Sequence, residues 1–189
     1  SGNTSRDVGA GIFSSANLVV ARSTVTNNGD GIFSATGTLT VTDSMICGNR
    51  GDGIEVSHDG YYSGYREGPI FVANSVISGN QDKGLYLSTS GTSTIINSTI
   101  VANGGDFGYD CSAPLTLANS IVALNTGTSI PGLSPTSGGN LLNMDPQFVR
   151  NPSDGGDGWG DDPTTPDVDE SANDDYGDLH LRTDSPAVN

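Results

Sequence analysis

Basic residues are scarce: seven among 189, against 22 acidic ones, for a formal net charge of −15. A chain without a basic stripe cannot replace the counterions of a phosphate backbone, so nucleic acid is excluded as a partner. Anionic lipid is excluded on the same ground. A polyanionic polysaccharide would be repelled unless a cation bridged the two. No run of roughly 18 apolar residues occurs, so no membrane-inserted helix is expected. Cysteine is limited to Cys47 and Cys111. Hydrophobic residues make up 33% of the chain and aromatic ones 6%, while glycine reaches 27 residues. Such a composition fits either disorder or a fold of short strands and tight turns. Periodicity separates the two.

Five segments align: Ser23-Thr24-Val25-Thr26-Asn27-Asn28, Ser44-Met45-Ile46-Cys47-Gly48-Asn49, Ser75-Val76-Ile77-Ser78-Gly79-Asn80, Ser98-Thr99-Ile100-Val101-Ala102-Asn103 and Ser120-Ile121-Val122-Ala123-Leu124-Asn125. Successive serines lie 21, 31, 23 and 22 residues apart, the 31 marking an insertion. Three residues before each serine stand Val20, Val41, Val72, Ile95 and Leu117. Gly31-Ile32, Gly53-Ile54 and Gly84-Leu85 follow the asparagines. One β-branched column per strand at this period predicts parallel strands stacked coil on coil, with the inward columns forming one aliphatic core. No sustained 3.6-residue period occurs, so helix should be minor. The expected fold is all-β: a right-handed parallel β-helix of about five coils over residues 1–130. Residues 131–189 would then form a loop, an acidic segment and a closing strand on the same solenoid. The structural column Asn28, Asn49, Asn80, Asn103 and Asn125 suits a turn, because asparagine tolerates the left-handed conformation and its amides can stack. The cysteines fall about three coils apart. At about 4.8 Å per coil that exceeds the disulfide limit of about 7 Å between Cα atoms, so two separate thiols are expected, each serving as a small buried hydrophobe.

The stretch LTLANSIVALN, followed by GGNLLNMDPQFV and by DYGDLHLRTDSPAVN, resembles the C-terminal half of bacterial right-handed β-helix surface proteins of the planctomycete type, within the broad pectate-lyase-like solenoid group. Asp145-Pro146…Phe148 and Leu179…Leu181…Ser185-Pro186-Ala187 carry the resemblance most specifically. It implies the fold and export to an extracellular or cell-surface location. It implies no activity.

Two segments stand apart from the repeat. The insertion between Val56 and Ile70 holds His58, Tyr61, Tyr62, Tyr65 and Arg66. Loops that leave a rigid scaffold often carry binding residues. These tyrosines could stack on sugar rings, anchor a protein partner, or fold back onto the neighbouring coil. The second segment, 154–178, holds ten acids in 25 residues. Asp154, Asp157, Asp161, Asp162, Asp169, Asp174 and Asp175 are candidate calcium ligands. Calcium accepts six to eight oxygens in flexible geometry, and the interspersed glycines would let the chain wrap round an ion. The spacing departs from the EF-hand pattern. A solvated acidic loop is the alternative. The calcium reading makes the site structural, pinning Leu179–Leu181 onto the end of the helix.

No catalytic residue is assigned. The seven basic residues do not cluster in sequence, as a lyase base beside bound calcium would require. Ser57-His58-Asp59-Gly60 is a weak match to the hydrolase pattern, and His180 sits in the closing strand. The Thr38, Thr40, Thr42 alternation does not recur through the coils. The chain starts at Ser1-Gly2-Asn3, a sequence that aligns inside a coil. We read it as a processed or excised piece, or as a first coil able to stack on a second copy. Two functions stay open: a calcium-stabilised structural or adhesive β-helix whose partner is itself or a surface glycan, and a carbohydrate-binding or polysaccharide-degrading module.

Overall fold

The structure, a computed structural model, describes residues 9–57, 67–105, 108–109, 114–126, 137–160, 165 and 167–187. Each coil contributes three short strands. The first coil holds β1 (Ile12–Ser14), β2 (Leu18–Ala21) and β3 (Thr24–Thr26). The second holds β4 (Ile32–Ser34), β5 (Gly37–Thr42) and β6 (Met45–Cys47). The third holds β7 (Ile54–Val56), β8 (Glu67–Ala73) and β9 (Val76–Ser78). The fourth holds β10 (Leu85–Leu87), β11 (Ser93–Ile96) and β12 (Thr99–Val101). The fifth holds β13 (Gly108–Tyr109), β14 (Leu115–Ala118) and β15 (Ile121–Ala123). Like strands pair in parallel into three sheets, and β16 (Leu141–Leu142) extends the third. The chain then leaves the solenoid through β17 (Phe148–Arg150) and β18 (Asp178–Leu181), an antiparallel pair. Two 3-10 turns are the only helical elements among the described residues, and no helix there is long and apolar enough to cross a membrane.

Register follows the repeat. Val25 pairs with Ile46, Ile46 with Ile77, Ile77 with Ile100 and Ile100 with Val122. Val20, Val41, Val72, Ile95 and Leu117 align in the second sheet in the same way. Both columns, with Ile32, Ile54 and Leu85, enter one buried core. Two inward positions break the rule. Ser34 aligns with the core residue Val56, and its buried hydroxyl has no hydrogen-bond partner. Ser93 aligns with Ile70 and Leu115, and its buried hydroxyl has no hydrogen-bond partner. Leaving such a group unmet costs about 1–3 kcal/mol. Ser93→Ala should therefore raise stability by about 1 kcal/mol, read from the urea midpoint at unchanged slope.

Two left-handed residues turn every coil. Between the second and third sheets these are Arg22, Asp43, Asn74, Asn97 and Asn119, with φ of 50–51°. After the third sheet they are Asn27, Gly48, Gly79, Ala102 and Leu124, with φ of 55–61°. The asparagine column was expected to supply the left-handed residue itself. It stands one position after that residue, while its amides stack as expected. Each Nδ2 donates to the next Oδ1 along the solenoid, over 3.1, 2.9, 2.8 and 2.9 Å from Asn28 to Asn125. Each Oδ1 also accepts the backbone amide of the preceding asparagine. Left-handed backbone at Leu124 and Ala102 is tolerated because stacked neighbours determine the turn from both sides.

The serines form a second ladder. The amide of each donates to the next hydroxyl, from Ser23 through Ser44, Ser75 and Ser98 to Ser120. The amide of Ser120 meets Asn140 Oδ1 instead. Each hydroxyl donates to the carbonyl two residues earlier. The polar corners are therefore internally satisfied, which lets them be buried.

Candidate functional site

The third sheet shows the segment beyond residue 145 an outer column of small residues: Thr26, Cys47, Ser78, Val101 and Ala123. Phe148, Leu179 and Leu181 pack on Val101, Ala123 and Ile121. The closing strand was expected at the end of the solenoid. It lies along the side instead, because this column offers an apolar surface that the β17–β18 pair can cover. Two aromatic rings extend the contact toward earlier coils. Trp159, 6% exposed, lies against Gly79, where a Cβ would come within 2.7 Å of its ring. Tyr176 occupies the corresponding notch at Gly48. The two rings stack at 5.6 Å. Glycine serves twice here: it adopts the left-handed turn and it leaves room for a ring. Gly79→Ala should push Trp159 off its notch. We expect a loss of about 2 kcal/mol and a red shift in the fluorescence of the single tryptophan.

Asp174 joins the two aromatics. Its Oδ2 accepts the Gly160 amide at 3.0 Å and the Tyr176 hydroxyl at 3.3 Å. Its Oδ1 is buried without a hydrogen-bond partner. Burial raises its pKa, the two hydrogen bonds lower it, and the charges of Asp157 and Asp154 raise it further. Asp157 accepts from Asn173 Nδ2 at 3.0 Å, and Asp154 accepts the Gly156 amide at 3.1 Å. Asp154, Asp157 and Asp174 therefore share one electrostatic neighbourhood. Asp169 and Asp175 are engaged elsewhere. Asp169 accepts from the Ser171 hydroxyl. Asp175 forms a two-pronged pair with Arg150, at 2.8 and 3.0 Å. The Gly177 amide and then Arg150 hold the Asp175 pKa below the usual carboxylate range. Asp161, Asp162, His58, Tyr61, Tyr62, Tyr65 and Arg66 lie outside the described residues. So does Cys111; Cys47 is a buried free thiol, its pKa pushed up to about 11, chiefly by burial.

A second carboxylate row lies at the corner entering the first sheet. Asp30 Oδ1 accepts the Asp52 amide at 2.9 Å, and Asp52 Oδ1 accepts the Lys83 amide at 2.8 Å. Burial pushes Asp52 up to about 7; the Lys83 amide and ammonium oppose this, and Asp82 and Glu55 add to it. Asp30 and Glu55 are also raised, first by burial. The only trace in the sequence is an aspartate two or three residues after an asparagine in successive repeats. Phe33 and Tyr86 flank Glu55 on the outer face of the first sheet. Phe13, 53% exposed, stacks on Phe33 at 5.5 Å.

A family model described as the right-handed beta helix region matches residues 1–100. The chain belongs to this family. Comparison with curated proteins and with solved structures finds no match. Membership in the β-helix family fixes the architecture, and function has to be argued from the sites. Among the described residues no three acidic, histidine or cysteine side chains form a ready metal cluster. Among the described residues, Asp174 Oδ1 is a buried carboxylate oxygen without a hydrogen-bond partner, and the charges of Asp157 and Asp154 raise the Asp174 pKa.

Proposed function

We propose that this β-helix is an extracellular structural or adhesive protein, of the planctomycete surface type its sequence resembles, with calcium stiffening its acidic C-terminal segment. Its partners would be further copies of itself or a surface glycan. One observation carries the reading: two unbroken side-chain ladders run the length of the solenoid. Internally paired corners of that kind make a stiff scaffold that presents its faces rather than enclosing a substrate. Calcium is supported by Asp174 Oδ1, which lacks a partner. An ion there would draw Asp154 and Asp157 inward and tie the Trp159 loop to Tyr176.

Calorimetry with calcium, paired with light scattering in calcium and in chelator, tests both parts. Binding with growth in particle size would support a metal-stiffened assembly. Binding with no growth would leave the adhesive role alone. No heat of binding, and no rise in melting temperature with calcium, would overturn the calcium assignment. A carbohydrate module is the second reading, favoured by the exposed Phe13 ring, which stacks on the buried Phe33 at the outer face of the first sheet. A glycan array probed with wild type and Phe13→Ala separates the two. Signals that vanish in the variant would favour the module.

A further inference from the structure

The left-handed turn column after the third sheet acts as a row of notches. Gly48 in the second coil receives Tyr176, and Gly79 in the third receives Trp159. The rings lie 5.6 Å apart, close to the coil spacing of about 4.8 Å. In the fourth coil the same position is Ala102, and no described ring stands against it. A crevice of about 320 Å³ opens there, between the solenoid and the C-terminal segment. Its size lies at the lower end of ligand pockets, roughly 300–1,000 Å³. Trp159 forms one wall and Leu124, 41% exposed, forms another. Asp154, Gln81 and Thr126 supply polar groups, and no basic side chain is among the described residues that line it.

We propose that this crevice binds a pyranose ring carrying a free ammonium group, the chemistry of an unacetylated amino sugar. The ring occupies the third notch, beside Trp159 and over Ala102. Its ammonium meets the Asp154 carboxylate. Hydroxyls on such a ring find hydrogen-bonding partners in Gln81 and Thr126. The charge follows from the site: a carboxylate with Asp157 and Asp174 nearby and no lining cation favours a positive ligand over a neutral one. An apolar wall on one side and polar groups on the other suit an amphipathic ring. The proposal rests on the adhesive reading and names the glycan chemistry that reading needs.

The test is titration with glucosamine, glucose and N-acetylglucosamine in chelator, followed by calorimetry and by the fluorescence of Trp159. Chelator removes calcium, so the outcome is independent of the metal assignment. Glucosamine should bind at least about tenfold more tightly than the two neutral sugars, a gap of about 1.4 kcal/mol. Asp154→Asn keeps an acceptor for the Gly156 amide and should abolish that preference. Ala102→Leu should fill the notch and remove binding while folding normally, since Leu124 already adopts the same left-handed turn. A chitosan oligosaccharide binding no better than glucosamine would assign the site to a terminal sugar. Tighter binding of the oligosaccharide would assign it to a chain. Equal affinity for charged and neutral sugars, or no binding of glucosamine by either readout, overturns the proposal. Failure here would leave the adhesive reading to stand or fall on the glycan array.

Discussion

Asn80→Asp should destabilise the solenoid by about 3 kcal/mol or more at pH 8. Asn80 is fully buried at the centre of the asparagine ladder. Its Nδ2 donates to Asn103 Oδ1 at 2.8 Å and to the Ile46 carbonyl. Its Oδ1 accepts both the amide and the Nδ2 of Asn49. Aspartate keeps the acceptor and the volume. It replaces the donor with an oxygen aimed at two other oxygens, and it brings a charge into a dry corner. Acidification should recover part of the loss, because a protonated carboxyl can donate where Nδ2 did. Asn80→Ala removes the acceptor too and orphans the buried Asn49 amide, at a cost of about 2–4 kcal/mol without the recovery at low pH. Urea unfolding of both variants at pH 5 and pH 8 reads the difference. An Asn80→Asp midpoint equal to wild type at pH 8 would show that the ladder is not the stabilising element.

The ladder also shows how far the fold was legible. A column of like residues at a 22-residue spacing means parallel stacking, because in a solenoid equal sequence positions become neighbours. The core columns could be read directly, Val25 to Val122 and Val20 to Leu117. The serine column was visible as a marker, but its hydrogen bonds depend on a left-handed residue just before it. Asn74, Asn97 and Asn119 suit that turn, and Asp43 less so; Arg22, a poor left-handed former, breaks the pattern in the first coil. Gly48 and Gly79 take the left-handed turn after the third sheet. Their second role, making room for Tyr176 and Trp159, depends on a segment more than 75 residues later in the chain. No local pattern could report it. The acidic segment was recognised by composition alone, so its members could not be sorted. Only contacts separate Asp174, short of a partner, from Asp175, held by Arg150. Asp52 was missed because one aspartate per coil reads as an ordinary turn residue until stacking places it beside Asp30, Asp82 and Glu55.

That stacking makes Asp52→Asn the second large expectation. Asp52 is 6% exposed and its pKa is raised to about 7 from the ordinary 3.8. A carboxyl whose folded pKa lies above its unfolded value binds a proton more tightly when folded. Between about pH 4 and pH 7 the folded protein therefore holds the extra proton, and stability falls as pH rises through this window. Below it the group is neutral in both states and the penalty vanishes. Above it the penalty is complete. Asp30 and Glu55 are displaced in the same direction and add to the trend. Asparagine retains the acceptor for the Lys83 amide and carries no charge. Asp52→Asn should therefore stabilise the protein by about 2–4 kcal/mol at pH 8 and by little at pH 4. Thermal or urea unfolding of wild type and variant across pH 4–8 decides the matter. The two stability curves should converge in acid and separate steadily towards pH 8. Parallel curves would mean that Asp52 stays ionised in the folded protein, with the Lys83 ammonium and amide compensating its burial in full.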